Sequence, residues 1–212
     1  GKEILLGDLP LLDTVTVPLS TDPPFSLTID GQSWFTLLKN WRRTHQSREL
    51  DAQRIEHTLA FMDPQTKLVV RCVAIEYRDF PTVEWTVYVR NGGSEDSPLL
   101  TNILPLDVQF FRSPATEFLR HHQTGSPCAA RDYQPLETEL GPGAAKRITA
   151  AGGRPTNSDL PYFNIQWLNQ GVIAVVGWPG QWAADFVRDA KELLQVRAGQ
   201  ETTHLRLRPG EE

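Results

Sequence analysis

The sequence contains few cysteines, little helical pattern and no long apolar run. Its two cysteines, Cys72 and Cys128, are too few for a disulfide framework, and neither stands in a Cys/His spacing typical of zinc. No stretch approaches the ~20 apolar residues of a membrane-spanning helix. The numbered chain has no signal peptide, so either a cytoplasmic or a secreted location fits.

The charge is mildly acidic. Lys and Arg number 21 against 26 Asp and Glu, which gives a formal net charge of −5 at pH 7. This balance argues against nucleic acid and anionic membranes as partners. The chain lacks phosphate-cradling and dinucleotide glycine patterns, and Ser126 has no Gly-x-Ser-x-Gly frame. We therefore expect no cofactor and no bound metal.

Strand-like runs separated by Pro, Gly, Asn and Asp turns dominate the pattern. Residues 82–90 alternate apolar and polar side chains, as a half-buried strand does, and residues 67–77 are nearly continuously apolar, as in a central strand. Other predicted strands cover residues 25–29, 54–61, 99–111, 117–121, 171–176, 193–198 and 202–208. Residues 33–41 fit a short helix or a strand pair, and residues 182–194 fit a helix or a strand.

These patterns predict an all-β protein, a large antiparallel β-sandwich with few short helices. Without an internal repeat or a low-complexity linker, residues 1–212 are predicted to form a single domain. A Pro-Gly turn follows the alternating strand at residues 202–208, and the sequence shows no strand to pair with it. Because natural domains protect their sheet edges, we expect the chain to be cut from a longer protein.

An aromatic and polar segment, residues 152–182, is the most informative part of the sequence. Aromatic rings stand there among Gly, Pro, Asn and Gln, which suits a surface that stacks on a pyranose and hydrogen-bonds its hydroxyls. Trp167 and Trp178 fit core anchors equally well, since Trp is highly buried on average. The predicted sugar contacts are therefore Tyr162, Phe163 and Trp182.

Residues for glycoside hydrolysis are harder to find, because the reaction needs two carboxylates across the scissile bond. The candidates are Glu84, Asp107, Asp132, Glu137, Glu139, Asp159 and Asp185, and no two of them form a convincing pair. His121 and His122 are adjacent on a predicted strand and must point to opposite faces. One of them is expected to face the core and the other water, or one to bind a sugar hydroxyl. No catalytic residue is assigned.

Six segments together resemble a known family. They are residues 24–34 (PFSLTIDGQSW), 82–93 (TVEWTVYVRNGG), 121–137 (HHQTGSPCAARDYQPLE), 152–167 (GGRPTNSDLPYFNIQW), 171–182 (GVIAVVGWPGQW) and 203–212 (THLRLRPGEE). In order and spacing they are similar to the N-terminal β-sandwich domain of melibiases, the α-galactosidases of glycoside hydrolase family 36.

The resemblance implies a supersandwich like that of the galactose mutarotases, preceding a catalytic (β/α)8 barrel that carries both catalytic Asp residues. The barrel is absent from this chain. The chain would then be non-catalytic by itself, would support the barrel of a glycoside hydrolase and would contribute loop residues to its sugar pocket. The expected partners are a galactoside or related glycoside, the missing C-terminal barrel and, in some family members, further copies of the chain.

The resemblance places loops around Asp132 and Tyr133 and across residues 154–163 near the sugar. With the aromatic residues above, the predicted substrate-binding set is Asp132, Tyr133, Arg154, Asn157, Tyr162, Phe163 and Trp182.

Two alternatives remain open. The chain would be an aldose 1-epimerase if His121 or His122 were the acid and Glu84 or Glu137 the base. It would be a free-standing carbohydrate-binding module if Tyr162, Phe163 and Trp182 formed a stacking platform.

Overall fold

The structure is a computed structural model that describes residues 23–112 and 116–212. The chain divides into two compact units. Of the described residues, the first unit contains 23–105 and 203–212, and the second contains 106–112 and 116–202. Each unit has its own hydrophobic core.

The first unit contains two four-stranded antiparallel sheets, in the orders β16-β7-β1-β2 and β3-β4-β5-β6. Its strands are β1 (Ser26–Ile29), β2 (Gln32–Ser33), β3 (Arg42–Glu49), β4 (Arg54–Met62), β5 (Leu68–Tyr77), β6 (Thr82–Asn91), β7 (Leu100–Leu104) and β16 (His204–Leu205). The three successive strands β4, β5 and β6 form a meander, because short turns join antiparallel neighbours.

A short helical stretch lies between β2 and β3. Helix α1 (Trp34–Leu37) continues into a 3-10 turn at Leu38–Asn40, so the helical alternative for residues 33–41 is correct. Trp34 is fully buried and packs against Phe25 and Phe61. This contact fixes the helical stretch onto the core of the first unit.

Strand β3 was not predicted. Its side chains are polar or charged on both faces and nearly all exposed, so the sequence shows no alternation of apolar and polar residues. It forms an edge of its sheet and pairs with β4 along its whole length. Backbone hydrogen bonding to a neighbour creates this strand, and an amphipathic pattern is not needed at a charged edge.

The segment after β16 has partners inside the chain, which corrects the prediction of an unmatched strand. The backbone N–H of Asn91 donates to the carbonyl of Glu211 at 2.9 Å, and the N–H of Gly210 donates to the carbonyl of Asn91 at 2.9 Å. The N–H of Ser97 also donates to the carbonyl of Leu207 at 2.8 Å, and the N–H of Leu207 donates to the Ser97 side-chain hydroxyl at 2.9 Å. Asn91 is the last residue of β6 and Ser97 lies in the loop that follows it, so side-chain alternation did not reveal these pairings.

The second unit is an eight-stranded antiparallel sheet in the order β10-β9-β12-β11-β14-β15-β8, with β13 paired to β12. Its strands are β8 (Leu106–Phe111), β9 (Phe118–Thr124), β10 (Pro135–Leu140), β11 (Ala145–Ala151), β12 (Arg154–Trp167), β13 (Gln170–Val175), β14 (Trp182–Arg188) and β15 (Leu193–Gln200). Residues 182–188 are thus a strand, and the predicted strand at 99–111 is two strands separated at Pro105, which has no N–H to donate.

The core of the second unit is rich in aromatic rings. Phe163 packs edge-on against Phe186, and Trp167 contacts both Phe110 and Phe118. Phe110 on β8 and Trp167 on β12 come from strands far apart in the sheet order, so the sheet wraps around one common core.

The all-β, antiparallel fold class with few short helices is confirmed. In the described parts of the chain, no helix has the length and apolar character needed to cross a membrane.

Candidate functional site: three joined loops of the second unit

Two segments that carry predicted site residues are hydrogen-bonded to each other. The first is the loop 125–134 between β9 and β10, and the second is the segment 152–158 at the start of β12. The N–H of Gly125 donates to the carbonyl of Ser158 at 2.7 Å, and the N–H of Ser126 donates to that of Thr156 at 2.7 Å. A Cβ on Gly125 would lie 1.9 Å from the Thr156 carbonyl oxygen. Glycine at this position is therefore what lets the two segments meet.

A third segment, the turn 177–181, is attached through Gln181. The Gln181 side-chain oxygen accepts a 3.0 Å hydrogen bond from the N–H of Gly153, and its amide nitrogen donates to the carbonyl of Ala150 at 2.6 Å and to Glu201 at 2.8 Å. We call residues 125–134, 152–158 and 177–181 the loop cluster. Sequence reasoning missed Gln181, although it lies within the GWPGQW segment that drew attention to its neighbours.

Asp132 stabilises the first of these loops from within. Its carboxylate accepts hydrogen bonds from the Ala129 N–H at 2.9 Å and from the Ser126 hydroxyl at 2.8 Å. These bonds hold the pKa of the Asp132 carboxyl below its ordinary value. Tyr133 next to it is 57% exposed and has a φ of +60°, so its ring projects from a loop that Asp132 keeps in shape.

Arg154 and Asn157 lie on the second segment with different degrees of exposure. Arg154 is exposed, whereas Asn157 is half-buried and donates from its side-chain nitrogen to the Ala151 carbonyl at 3.1 Å. Asn157 thereby closes the turn between β11 and β12. Arg154 therefore offers an accessible cation, while the Asn157 amide stabilises the backbone of the turn.

The predicted aromatic platform is not assembled as expected. Tyr162 is 55% exposed, on the sheet face it shares with its cross-strand neighbour Val175. Phe163 is only 2% exposed and Trp182 is 0% exposed. Their rings belong to the core, which corrects the predicted role of these two residues as stacking surfaces. A core position also explains why Trp182 donates its indole N–H to the Pro155 carbonyl.

The two remaining tryptophans of the segment differ clearly in their exposure to solvent. Trp167 is 1% exposed and is a core anchor, while Trp178, inside the loop cluster, is 42% exposed. The sequence could not distinguish them, because both have Gly, Pro or Asn nearby. What separates them is their place on the backbone: Trp167 lies on the core face of β12, and Trp178 lies in a turn.

His121 and His122 point to opposite faces of β9, as predicted. His122 is buried, with its Nε2 3.7 Å from an Asp159 carboxylate oxygen. Burial and the charge of Arg120 lower the pKa of His122, and Asp159 opposes the shift. His121 lies on the outer face, where its ring nitrogens contact Gln166 at 3.0 Å and Glu137 at 3.4 Å.

The candidate carboxylates of the second unit are bound to different partners. Asp107 accepts from Gln195, Asp159 accepts from the N–H of Thr149, and Asp185 pairs with Arg147. Their contacts do not bring any two of them together as an acid and a nucleophile. Within the described ranges, no group of three His, Cys, Asp or Glu residues is arranged to hold a metal ion.

One buried acid–base pair in the first unit was missed. Nε2 of His57 lies 2.9 Å from Glu76, both residues are buried, and the ring of His45 stacks on His57 at 5.8 Å. Burial, His57 and Arg43 lower the pKa of His45. The sequence does indicate that His57 is buried, since it falls among apolar residues on the core face of the strand at residues 54–61.

The fold is that of one part of the α-galactosidases of glycoside hydrolase family 36. The AgaA enzyme of Geobacillus stearothermophilus matches with a TM-score of 0.67 at 15% identity, over 92% of this chain and 30% of the enzyme. The enzyme of Lactobacillus brevis matches with a TM-score of 0.65 at 13% identity, over 92% of this chain and 28% of its own. The galactosidase domain of the α-galactosidase–sucrose kinase AgaSK matches with a TM-score of 0.65 at 11% identity, over 99% of this chain and 29% of its own.

This chain therefore spans about 30% of the length of the α-galactosidases that share its fold. Identities of this size establish the fold alone. No protein-family model matches the chain, and no curated protein matches it in sequence. The resemblance expected from the sequence is thus confirmed at the level of three-dimensional structure.

Proposed function

We propose that this chain is the non-catalytic N-terminal domain of a glycoside hydrolase of the α-galactosidase type. The observation that supports this most is the match of nearly the whole chain to under a third of each enzyme. The dispersed contacts of the candidate carboxylates agree with it, because a glycosidase needs two of them facing one bond. In this proposal the catalytic (β/α)8 barrel is a separate part of the same polypeptide.

We further propose that the loop cluster contributes to carbohydrate binding. Structures of the Geobacillus stearothermophilus enzyme in complex with stachyose and with raffinose share the fold of this chain at a TM-score of 0.66. The ligand class we propose is therefore an α-galactoside. Within the cluster, Arg154 is an exposed donor of several N–H groups and Tyr133 is an exposed ring, and rings and N–H donors are what sugar recognition uses.

The first test concerns catalysis. The 212-residue chain, incubated with p-nitrophenyl α-galactoside, is expected to release no nitrophenol above the buffer blank. Robust hydrolysis would contradict the proposal, since it would require an acid and a nucleophile within this chain.

The second test concerns binding. Saturation-transfer NMR with methyl α-galactoside and with raffinose is expected to show transfer to the sugar, and Arg154→Ala is expected to weaken the affinity about tenfold. Arg147→Ala is the matched control, because Arg147 is an exposed arginine of the same unit that pairs with Asp185 outside the loop cluster. Equal effects of the two substitutions, or no transfer at all, would refute a sugar site at the cluster.

We also propose that residues 1–212 form a single domain. Scanning calorimetry is expected to give one transition whose calorimetric and van't Hoff enthalpies agree, as for a cooperative domain. Two resolved transitions would show instead that the units unfold separately.

One observation bears on the epimerase alternative. His121 and Glu137, one of the pairs it requires, lie 3.4 Å apart on the outer face of the second unit. In polarimetry of freshly dissolved α-galactose, an epimerase would accelerate the drift, and Glu137→Gln would abolish the acceleration. We expect no acceleration, because a base already in contact with the acid leaves no place for the sugar between them.

A further inference from the structure

Trp178 is an exposed tryptophan in the turn 177–181 of the second unit. It lies in the sequence Gly177-Trp178-Pro179-Gly180, which follows β13. Its ring is 42% exposed, whereas Trp167 and Trp182 on either side in the sequence are buried. Burying an aromatic ring contributes about 1.5–3 kcal/mol to folding. A ring left in water in a rigid turn forgoes part of that stabilisation.

The indole of Trp178 rests directly on Gly180. A Cβ on Gly180 would lie 2.9 Å from the indole Nε1 and 3.6 Å from Cδ1 and Cε2. The φ of Gly180 is not in the left-handed region, so the backbone conformation does not require glycine here. Glycine is needed because the indole occupies the space in which a side chain at position 180 would lie. The absence of a side chain at position 180 therefore allows the ring to lie flat on the turn.

The turn below the ring is held from both sides. Pro179 restricts its own φ, and Gln181 makes its hydrogen bonds to Gly153, Ala150 and Glu201. A ring on such a support loses little conformational entropy when a ligand binds, which favours affinity. Gln181 also links this turn to the segment that carries Arg154.

Among the residues that the structure describes, the indole N–H of Trp178 has no hydrogen-bond acceptor. Trp85 and Trp182 donate theirs to the carbonyls of Pro105 and Pro155. For Trp178 no such acceptor is found in residues 23–112 and 116–212. The residue thus offers a flat apolar surface and one N–H donor at its edge. A pyranose, with an apolar C–H face and peripheral hydroxyls, is complementary to both.

We propose that Trp178 is the sugar-stacking residue of the loop cluster and that Gly180 sets the position of its ring. This inference rests on the proposed function, and it names the contact that the buried Phe163 and Trp182 cannot make.

Three variants of the 212-residue chain test it by saturation-transfer NMR and titration with methyl α-galactoside. Trp178→Ala is expected to weaken binding about tenfold, since it removes the ring. Trp178→Phe keeps a ring without the N–H and is expected to recover part of the loss. Gly180→Ala keeps the indole intact but displaces it, and is expected to weaken binding as well. Phe80→Ala, an exposed ring of the first unit, is the control and should bind like the unmodified chain.

Thermal unfolding and circular dichroism of each variant show whether the fold is retained. We expect the melting temperature of Trp178→Ala to match that of the unmodified chain, so that its weaker binding reports on the sugar contact. Saturation is expected to pass from the ring protons of Trp178 to the C–H protons on one face of the bound sugar. This transfer from the ring should be lost in Trp178→Ala.

The outcomes distinguish the role of Trp178 from that of the loop cluster as a whole. If Trp178→Ala binds as tightly as the unmodified chain while Arg154→Ala binds weakly, the inference about Trp178 is wrong and the loop cluster stays a sugar site. If the unmodified chain shows no transfer to any galactoside, both are overturned. If Gly180→Ala binds normally while Trp178→Ala does not, the role assigned to Gly180 is wrong.

Discussion

The indole N–H of Trp182 donates a 2.6 Å hydrogen bond to the carbonyl oxygen of Pro155. This bond connects the first residue of β14 to the start of β12, which carries part of the loop cluster. Trp182 thereby supports the candidate site from the core without offering a face to a ligand.

Trp182→Ala is expected to destabilise the fold strongly, because it removes a fully buried ring and leaves the Pro155 carbonyl without its donor. Substitutions of this kind cost about 3–5 kcal/mol. Urea unfolding followed by circular dichroism measures the difference. Tyr162→Ala is the matched control, and its 55% exposed side chain predicts a change within about 0.5 kcal/mol. Similar midpoints for the two variants would show that Trp182 is not a core residue.

Gly125→Ala is expected to push the loop 125–134 away from β12. The new Cβ would meet the Thr156 carbonyl oxygen, a backbone atom that cannot move aside independently, and overpacking of this kind costs about 1–3 kcal/mol or more. Limited proteolysis should detect new cleavage in this loop. Gly177→Ala is the control, since a Cβ there meets no atom within 4 Å. An unchanged digestion pattern in Gly125→Ala would contradict the close contact.

Arg188→Met is expected to lower the free energy of unfolding by about 1–3 kcal/mol, because it removes a buried guanidinium donor from the carboxylate and carbonyl oxygens that it bonds. The Arg188 side chain has no exposure and lies 2.9 Å from Glu117. Arg147→Met breaks the ion pair between Arg147 and Asp185, whose side chains are 51% and 39% exposed. Exposed ion pairs contribute at most about 1 kcal/mol. Denaturant titrations of both variants test this ranking, and equal losses would refute it.

The two cysteines are expected to react with a thiol reagent at very different rates. Cys128 is exposed, while Cys72 is buried, and burial raises the pKa of its thiol to about 12. Since the thiolate is the reactive form, the folded chain should titrate one thiol and the unfolded chain both. Cys128→Ser should remove the fast phase alone. Fast reaction of both thiols in the folded chain would contradict the burial of Cys72.

Much of the fold was predictable from residue patterns. The alternation at residues 82–90 and the apolar run at 67–77 correspond to β6 and β5, because a strand with a buried face must repeat every two residues. Strand β3 was not predictable, since an exposed edge strand needs only backbone hydrogen bonds to its neighbour. The opposite orientations of His121 and His122 followed from the same two-residue period.

The candidate site was predictable only in part. The sequence indicated the loop of Asp132 and the segment of Arg154, but it did not show that Gly125 brings them together or that Gln181 attaches a third turn. Hydrogen bonds between distant residues produce these contacts, and no local pattern records them.

By itself, the sequence determined that the chain is all-β, that its strands are antiparallel and that aromatic residues concentrate at 152–182, because these properties depend on side-chain periodicity and composition. The tertiary structure alone decided which of those rings lies inside. Trp182 is buried and Trp178 is exposed because one is on a strand that faces the common core and the other is in a turn above Gly180. The exposure of a ring depends on what packs against it, and those neighbours come from other strands.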